Sequence, residues 1–435
     1  MTRFPLTRPF LNALLAHLAA SIALAAASFP TPFDTGKTTH PIMPPLQAAA
    51  RIELPPGFHA TLFAGEPEVR QPIAMTTDAR GRLWVAENYT YSEQGVGWHA
   101  TLRDRIVIFE DTNHNGRYDK RTIFWEGAQR LTSIEVGLGG VWALCLPELI
   151  FIPDRNGDDV PDSAPEVVLD GFEFEKAQHT VANGLRWGPD GWLYGRQGIL
   201  AKSRIGAPGT PEARRTPTNV GIWRYHPQRR TFELFAEGTT NPWGMDWDAH
   251  GELFFINTVI GHLWQAIPGA HYRRMVGDDP NPHVYELIEQ HADHVHWSTG
   301  EIWTDVRKGV TDSTLAAGGG HAHTGLLIYQ GGAWPAGWNG KLLTINFHGR
   351  RFNVERLERE GSAFIGRREP DAFLFPDKSF RGLDLVAAPD GGVFVSDWNG
   401  DGECHDHDGV LRSTGRIFKI NYGQPTLRPP GDLAQ

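Results

Sequence analysis

The sequence predicts an all-β fold, a six-bladed β-propeller, from a hairpin unit that recurs along the chain and from the lack of any sustained helical periodicity. Five or seven blades are the alternative counts. The unit is a short apolar strand, a polar turn and a second strand ending in small or polar residues. Copies stand at Met75–Glu87 (MTTDARGRLWVAE), Leu185–Gly195 (LRWGPDGWLYG), Met245–Asn257 (MDWDAHGELFFIN) and Leu385–Asp397 (LVAAPDGGVFVSD). The Asp-Gly, Arg-Gly or His-Gly pair turns the hairpin, and the flanks run apolar or alternate as buried strands do. Two further blades are expected around Arg105–Val167 and Thr324–Leu357, and a short helical insertion around Tyr285–Ala292. Units that each form one small sheet cannot bury their faces alone, so they close into a ring.

Composition agrees. Among 435 residues there are 49 glycines, 31 prolines and 15 tryptophans, a profile of many short strands and tight turns. The formal net charge of −10, with no long basic run, argues against nucleic acid as a partner. Arg3 and Arg8 followed by the apolar run Phe10 to Ala27 read as an export signal, with Ala25 and Ala27 suiting peptidase cleavage. The expected organisation is a signal at 1–27, a linker at 28–50, the propeller at 51–422 and a tail at 423–435. The expected location is the periplasm or the outside of the cell, with an uncleaved membrane anchor as the alternative. No other stretch could cross a membrane. Cys145 and Cys404 could pair in an oxidising compartment or stay as separate thiols.

Three groups of residues carry chemistry. Asp111, Asn113, Asn115 and Asp119 form D-x-N-x-N-G-x-x-D, and Asp154, Asn156, Asp158 and Asp162 form a near copy. Calcium takes six to eight hard oxygens, and such loops deliver several to one point. Thr122 and Pro165 stand where an EF-hand would place its last carboxylate, so these are not EF-hands. Plain Asp/Asn hairpin turns are the other reading. Three H-x-H pairs follow: His294 and His296, His321 and His323, His405 and His407. On a strand, residues i and i+2 share a face, so each pair could offer imidazoles to a transition metal. Last, polar residues stand where strands of separate blades begin. His179 and Asp384 are the candidate catalytic groups. Asn241, His348, Arg350 and Arg381 are the candidate cofactor contacts. Strand-entry loops of a propeller converge on the channel mouth, where a histidine can act as a base and arginines can hold an anion.

At NGLRWGPDGWLYGRQG, GTTNPWGMDWDAHGELFFINTVIGHLWQAIPGAHY, GGGHAHTGLLIYQG, NFHGRRFNVERLER and GECHDHDGV the chain closely resembles the membrane-bound dehydrogenase domain of planctomycete and verrucomicrobial proteins, from about Arg51 to Tyr422. More distantly it is similar to soluble glucose and sorbosone dehydrogenases, which use pyrroloquinoline quinone (PQQ) on a six-bladed propeller. That resemblance implies that His179 lies near the base that takes a hydroxyl proton, and that Asn241, His348 and Arg381 contact the cofactor. Thr240 and Leu383 stand where the distant relatives carry arginines, and His348 where they carry a lysine.

The expected function is oxidation of sugars or related alcohols, with PQQ as cofactor, calcium in the acidic loops and a separate electron acceptor. One alternative is a metal-dependent hydrolase or lactonase in the channel. Another is a non-catalytic propeller that binds carbohydrate or protein.

Overall fold

A computed structural model describes residues 28–91, 97–298, 300–306, 309–402 and 409–424. The expected signal, Cys404, His405, His407 and the tail from 425 lie outside the described residues.

The chain forms six blades, and the four recognised hairpin units are the inner halves of blades one, three, four and six. Blade one comprises Pro72–Thr77, Leu83–Glu87, Asp104–Glu110 and Lys120–Ala128; blade two spans Leu131–Val136 to Glu166–Asp170. Blade three begins at Asn183–Trp187, blade four at Pro242–Trp247, blade five at His323–Ile328 and blade six at Gly382–Ala387. The stretch around Arg105, expected to open a blade of its own, supplies the outer strands of blade one. The four recognised hairpins share one turn, in which a glycine N–H closes onto the carbonyl three residues back. Gly81, Gly191, Gly251 and Gly391 hold φ between +78° and +84°, a region that side chains resist.

Each blade packs face to face on the next. The buried apolar residues therefore form six wedges, one per gap between blades, instead of a single central core. The ring closes through the chain ends. Phe58–Gly65 is the outermost strand of blade six and pairs antiparallel with Arg416–Tyr422, Phe58 opposite Tyr422. Arg416, fully buried beside this seam, bonds Asp377 at 2.6 Å and Glu66 at 3.1 Å.

Two segments depart from expectation. The stretch read as a linker packs on the propeller. Pro45–Arg51 is a helix with Ala48 and Ala49 buried, and residues 33–40 run as a strap against 409–413. Thr35 and Gly36 donate their N–H groups to Val410 O, and the Asp34 carboxylate accepts from Ser413. Residues 285–292 are not helical. Helices occur instead at Trp303–Val306 and Asp312–Ala317.

Blade four has three strands. Its missing edge is filled by the 275–322 insertion, where His291 N–H donates to Leu263 O of blade four and His291 O accepts from Gly366 N–H of blade five.

The innermost strands have one edge with no strand beyond it. Side chains of adjacent blades satisfy that edge. Asp246 accepts Ile328 N–H (2.8 Å), Asp384 accepts Met75 N–H (2.9 Å) and Ser133 Oγ accepts Leu185 N–H (2.8 Å). Thr324 Oγ1 donates to Gly382 O and Thr132 Oγ1 to Ala182 O. Arg186 reaches across the channel from blade three to blade six, 3.7 Å from Asp384 and 2.9 Å from Leu385 O. Glu135, which accepts from Thr76 Oγ1 at 2.6 Å, completes a buried charged plug.

Desolvation pushes the Glu135 carboxyl up to about 7, with Thr76 and Arg186 pulling only partly back. The native state then holds a proton that the unfolded state, titrating near 4.5, has lost. Stability is therefore fully present below the unfolded value and falls as pH rises through the native one. Across that window Glu135 costs on the order of 3 kcal/mol. Glu135→Gln is expected to be more stable than the parent at pH 8, with the gap closing near pH 4.5. Urea melts across that range check it, and a pH-independent gap would refute the assignment.

Candidate functional site

Above the plug, the entry ends of the inner strands and the loops that lead into them frame a cavity on the axis. It has two lobes of about 260 and 310 Å³ that share His179, Trp243, Phe347 and Leu383. The first lobe is walled by Tyr91, Trp98, Trp398, Asp401 and the strap residues Gly36, Lys37 and Thr39. The second is walled by Asn241, His321, His348, Thr258, Met275 and Val276. Each lobe is of the size that holds a small organic ligand.

The local sequence fixes these side chains. His179 lies in a single 3₁₀ turn, Gln178–Thr180, closed by Thr180 onto Ala177 O. Asn241 precedes Pro242 at the head of the inner strand of blade four. Buried Asn257 holds that loop by accepting the N–H groups of Thr240 and Asn241 at 2.9 and 2.6 Å. Asn241 lines the second lobe, and its Oδ1 is buried without a hydrogen-bond partner among the described residues. His321 and His348 lie against each other, ring centroids 4.7 Å apart.

The expected site residues thus divide. His179, Asn241, His321 and His348 meet at the cavity, as do Thr240 and Leu383. Arg381 does not present its guanidinium there, although it lies over Phe347. It donates to the carbonyls of Lys378, Phe380, Asp401 and Gly402. Arg350 lines neither lobe, and burial, with Arg351 adding to it, lowers its pKa. Asp384, expected to be catalytic, belongs to the plug below the floor. Desolvation raises its carboxyl, with Arg186 opposing, while neighbouring Arg196 is pushed down to about 9 by burial. His405 and His407 lie outside the described residues, in a segment flanked by cavity-lining Gly402 and Gly409.

His323 turns away from the cavity toward His296, its Nε2 2.8 Å from His296 Nδ1. There it meets a group not anticipated as a set: His262, His294, His296 and Glu355, whose ligand atoms lie within 4.8 Å of one another. His262 lies in a turn of blade four and Glu355 in a strand of blade five, and only the ring geometry brings them to the His294/His296 pair. The cavity aromatics were also missed as site residues; high tryptophan content and the N-P-W-G turn at Trp243 were the available signals.

In the acidic loops the carboxylates face their own backbone. Asp111 accepts from Asn115 and Gly116 N–H, and Asp119 from Thr112 and Asn113 N–H. Asp154 accepts from Asp158 and Asp159 N–H, Asp158 from Val160 N–H and Asp162 from Arg155 N–H. Asn113 and Asn156 each accept from the N–H two residues on, and Asn115 from Arg117 N–H. Both loops lie at the rim, at the distal ends of blades one and two.

A family described as "Domain of unknown function (DUF7133)" matches residues 44–407. No curated protein matches the chain. Among solved structures, an oxidoreductase described as a glucose dehydrogenase from Thermus thermophilus is similar at TM-score 0.52 and 18% identity, covering 84% of this chain and 100% of that one. The PQQ-bound aldose sugar dehydrogenase of Streptomyces coelicolor is similar at TM-score 0.52 and 15% identity, covering 85% and 99%. At these identities the likeness is one of fold.

Asp384 therefore acts as a strut. Asp384→Ala removes one of the three carboxylates facing buried Arg186 and the acceptor of Met75 N–H, and should cost about 1–3 kcal/mol of stability. Chemical denaturation measures it; a loss below about 0.5 kcal/mol, the level of an unremarkable surface change, would show that the plug does not depend on this residue.

Proposed function

We propose that this chain, which belongs to the DUF7133 family, is a sugar-acting propeller that holds a neutral sugar or related alcohol in the axial cavity, with His179 placed to take a proton from a ligand hydroxyl. The carrying observation is the wall chemistry. Trp98, Trp243, Trp398, Tyr91 and Phe347 offer flat apolar faces, interleaved with Asn241, His179, His321 and His348 as hydrogen-bonding groups. A sugar ring has the matching character, with apolar C–H faces and a polar rim.

Oxidation of the bound alcohol is the reaction that the sugar dehydrogenases sharing this fold suggest. It requires a hydride acceptor. PQQ is a poor match for the described wall. Its three carboxylates call for cations, and Lys37 is the one Lys or Arg among the described residues lining either lobe. Arg381 is committed to backbone carbonyls. What this chain's own residues would supply is sugar binding by the aromatic walls, a polar contact at Asn241 and a base at His179.

A panel of aldoses, polyols and aldonolactones, screened by calorimetry and by dye-linked oxidation with and without added PQQ, tests the reading. Binding is expected, and Trp243→Ala should weaken it about tenfold or more, as loss of a buried aromatic anchor does. If turnover is found, His179→Asn should lower kcat roughly 10²–10⁴-fold with KM little changed. Binding without turnover would reduce the proposal to a carbohydrate-binding role. No binding by any member of the panel would end it.

Calcium in the two acidic loops is a separate proposal, supported by the matched spacing of Asp or Asn at positions one, three, five and nine of the two loops. A chelator should then lower Tm, and Ca²⁺ should restore it, by about 2.7 kcal/mol of stabilisation at a hundredfold excess over Kd. Asp111→Ala combined with Asp154→Ala should abolish the response. An unchanged response in that double variant would exclude these loops.

A further inference from the structure

We propose that His262, His294, His296 and Glu355 bind one Zn²⁺ ion, and that this ion fastens the 275–322 insertion to blades four and five. His262 comes from the turn before the third strand of blade four, Glu355 from the third strand of blade five, and the other two from the insertion. The site thus joins three segments, beside backbone bonds such as His291 N–H to Leu263 O and Gly366 N–H to His291 O.

The distances carry the assignment. Glu355 Oε1 lies 2.9 Å from His262 Nε2, 3.1 Å from His294 Nε2 and 3.3 Å from His296 Nε2. His294 Nε2 and His296 Nε2 are 3.2 Å apart. A regular tetrahedron around Zn²⁺, with ligand bonds of about 2.0–2.1 Å, has edges of about 3.3–3.4 Å. Four of the six edges approach that figure, and all six lie within 4.8 Å. Hydrogen bonding alone accounts poorly for the same arrangement. Three ring nitrogens point at a single carboxylate oxygen, and two of them also face each other. Meanwhile Glu355 Oε2 and His262 Nδ1 are buried with no hydrogen-bond partner among the described residues. A cation at the centre of the four atoms gives every converging lone pair a partner.

The surroundings are those of a ligand set. His294 passes its other nitrogen, Nδ1, to the Asp293 carboxylate at 2.8 Å, and Asp293 is held in turn by Arg367 at 2.6 Å. His296 Nδ1 is oriented by His323 Nε2 at 2.8 Å. Such outer partners fix ring orientation and tautomer in metal centres. Three of the four ligand side chains are fully buried, and His294 is 17% exposed, which leaves a route for entry of the ion. Four protein ligands close the site, as in structural zinc centres.

The consequence reaches the cavity by a short path. His296 O accepts Gly320 N–H at 2.8 Å, directly before His321 in the cavity wall. Gly318, at φ +134°, passes so close to the His296 ring that a Cβ there would meet Cδ2 at 2.4 Å. An ion that fixes His296 therefore fixes the glycine run and His321 behind it.

Tag-free protein, purified without chelator and then dialysed against Zn²⁺, should hold about one equivalent by elemental analysis, as one four-ligand site requires. Co²⁺ exchanged into the site should give the intense visible bands of tetrahedral coordination. His294→Ala removes the most exposed ligand and should leave the fold intact while losing the bands and at least about tenfold in affinity; His323→Ala should weaken binding roughly 10–100-fold through His296. Removing the ion should raise hydrogen exchange over residues 294–321 and leave blades one and two unchanged. Parent protein that takes up less than about a tenth of an equivalent, far below a one-to-one site, would overturn the proposal. So would His294→Ala protein that binds as much Zn²⁺ as the parent. None of these readouts depends on whether a sugar binds.

Discussion

The inner edge of each blade is the constraint on which the rest of the structure depends. A strand at the centre of a propeller has no neighbour on its axial side, and its backbone N–H groups there are buried. Unpaired, each would cost on the order of 1–3 kcal/mol. This chain answers with short polar side chains from the adjacent blade: Asp246 to Ile328, Asp384 to Met75 and Ser133 to Leu185. The acids bring charge into the channel, and Arg186 and Arg196 follow to balance it. The plug is thus a by-product of satisfying backbone. It sets the cavity floor, which is why the axis offers a closed cup and not a through-channel.

The cup owes its walls to departures from regularity. Blade four lacks an outer strand, and the insertion that fills the gap brings Met275, Val276 and His321 over one lobe. The strap at 33–40 covers the other. A propeller of six equal blades would have a shallower mouth. The same missing strand places His294 and His296 between blades four and five, so the cavity wall and the histidine cluster share one structural cause.

The repeating parts were legible in the sequence, because they are local. Each Asp-Gly or related turn, flanked by apolar runs, identifies its hairpin without help from the rest of the chain, and all four recognised copies form inner strand pairs. Blades one and two were harder to separate, since the inner hairpin of blade two turns at Gly137-Leu138-Gly139 and carries no turn of that type. At the site, His179 and Asn241 could be found because they stand shortly before those turns, twelve residues ahead of Gly191 and ten ahead of Gly251. Arg381 and Asp384, ten and seven residues ahead of Gly391, play structural roles instead. Sequence position puts a residue at the channel, but depth along the strand and competing carbonyls decide what its side chain does. Glu355 shows the limit most clearly. It is one acid in an alternating strand, FNVERLERE, and nothing beside it marks it as facing His262, ninety-three positions earlier. The strap was misjudged because Pro-, Thr- and Ala-rich composition signals weak intrinsic structure, whereas its order comes from partners at 409–413.

Those partners lie almost four hundred residues downstream of the strap. Gly36, Lys37 and Thr39 form cavity wall only once Val410 and Ser413 have been made and folded back to meet them. The seam between Phe58–Gly65 and Arg416–Tyr422 has the same order of assembly. During synthesis every intermediate length of chain therefore has an open ring and an unfinished cup. The lobe walled by the strap is therefore complete only once the ring has closed.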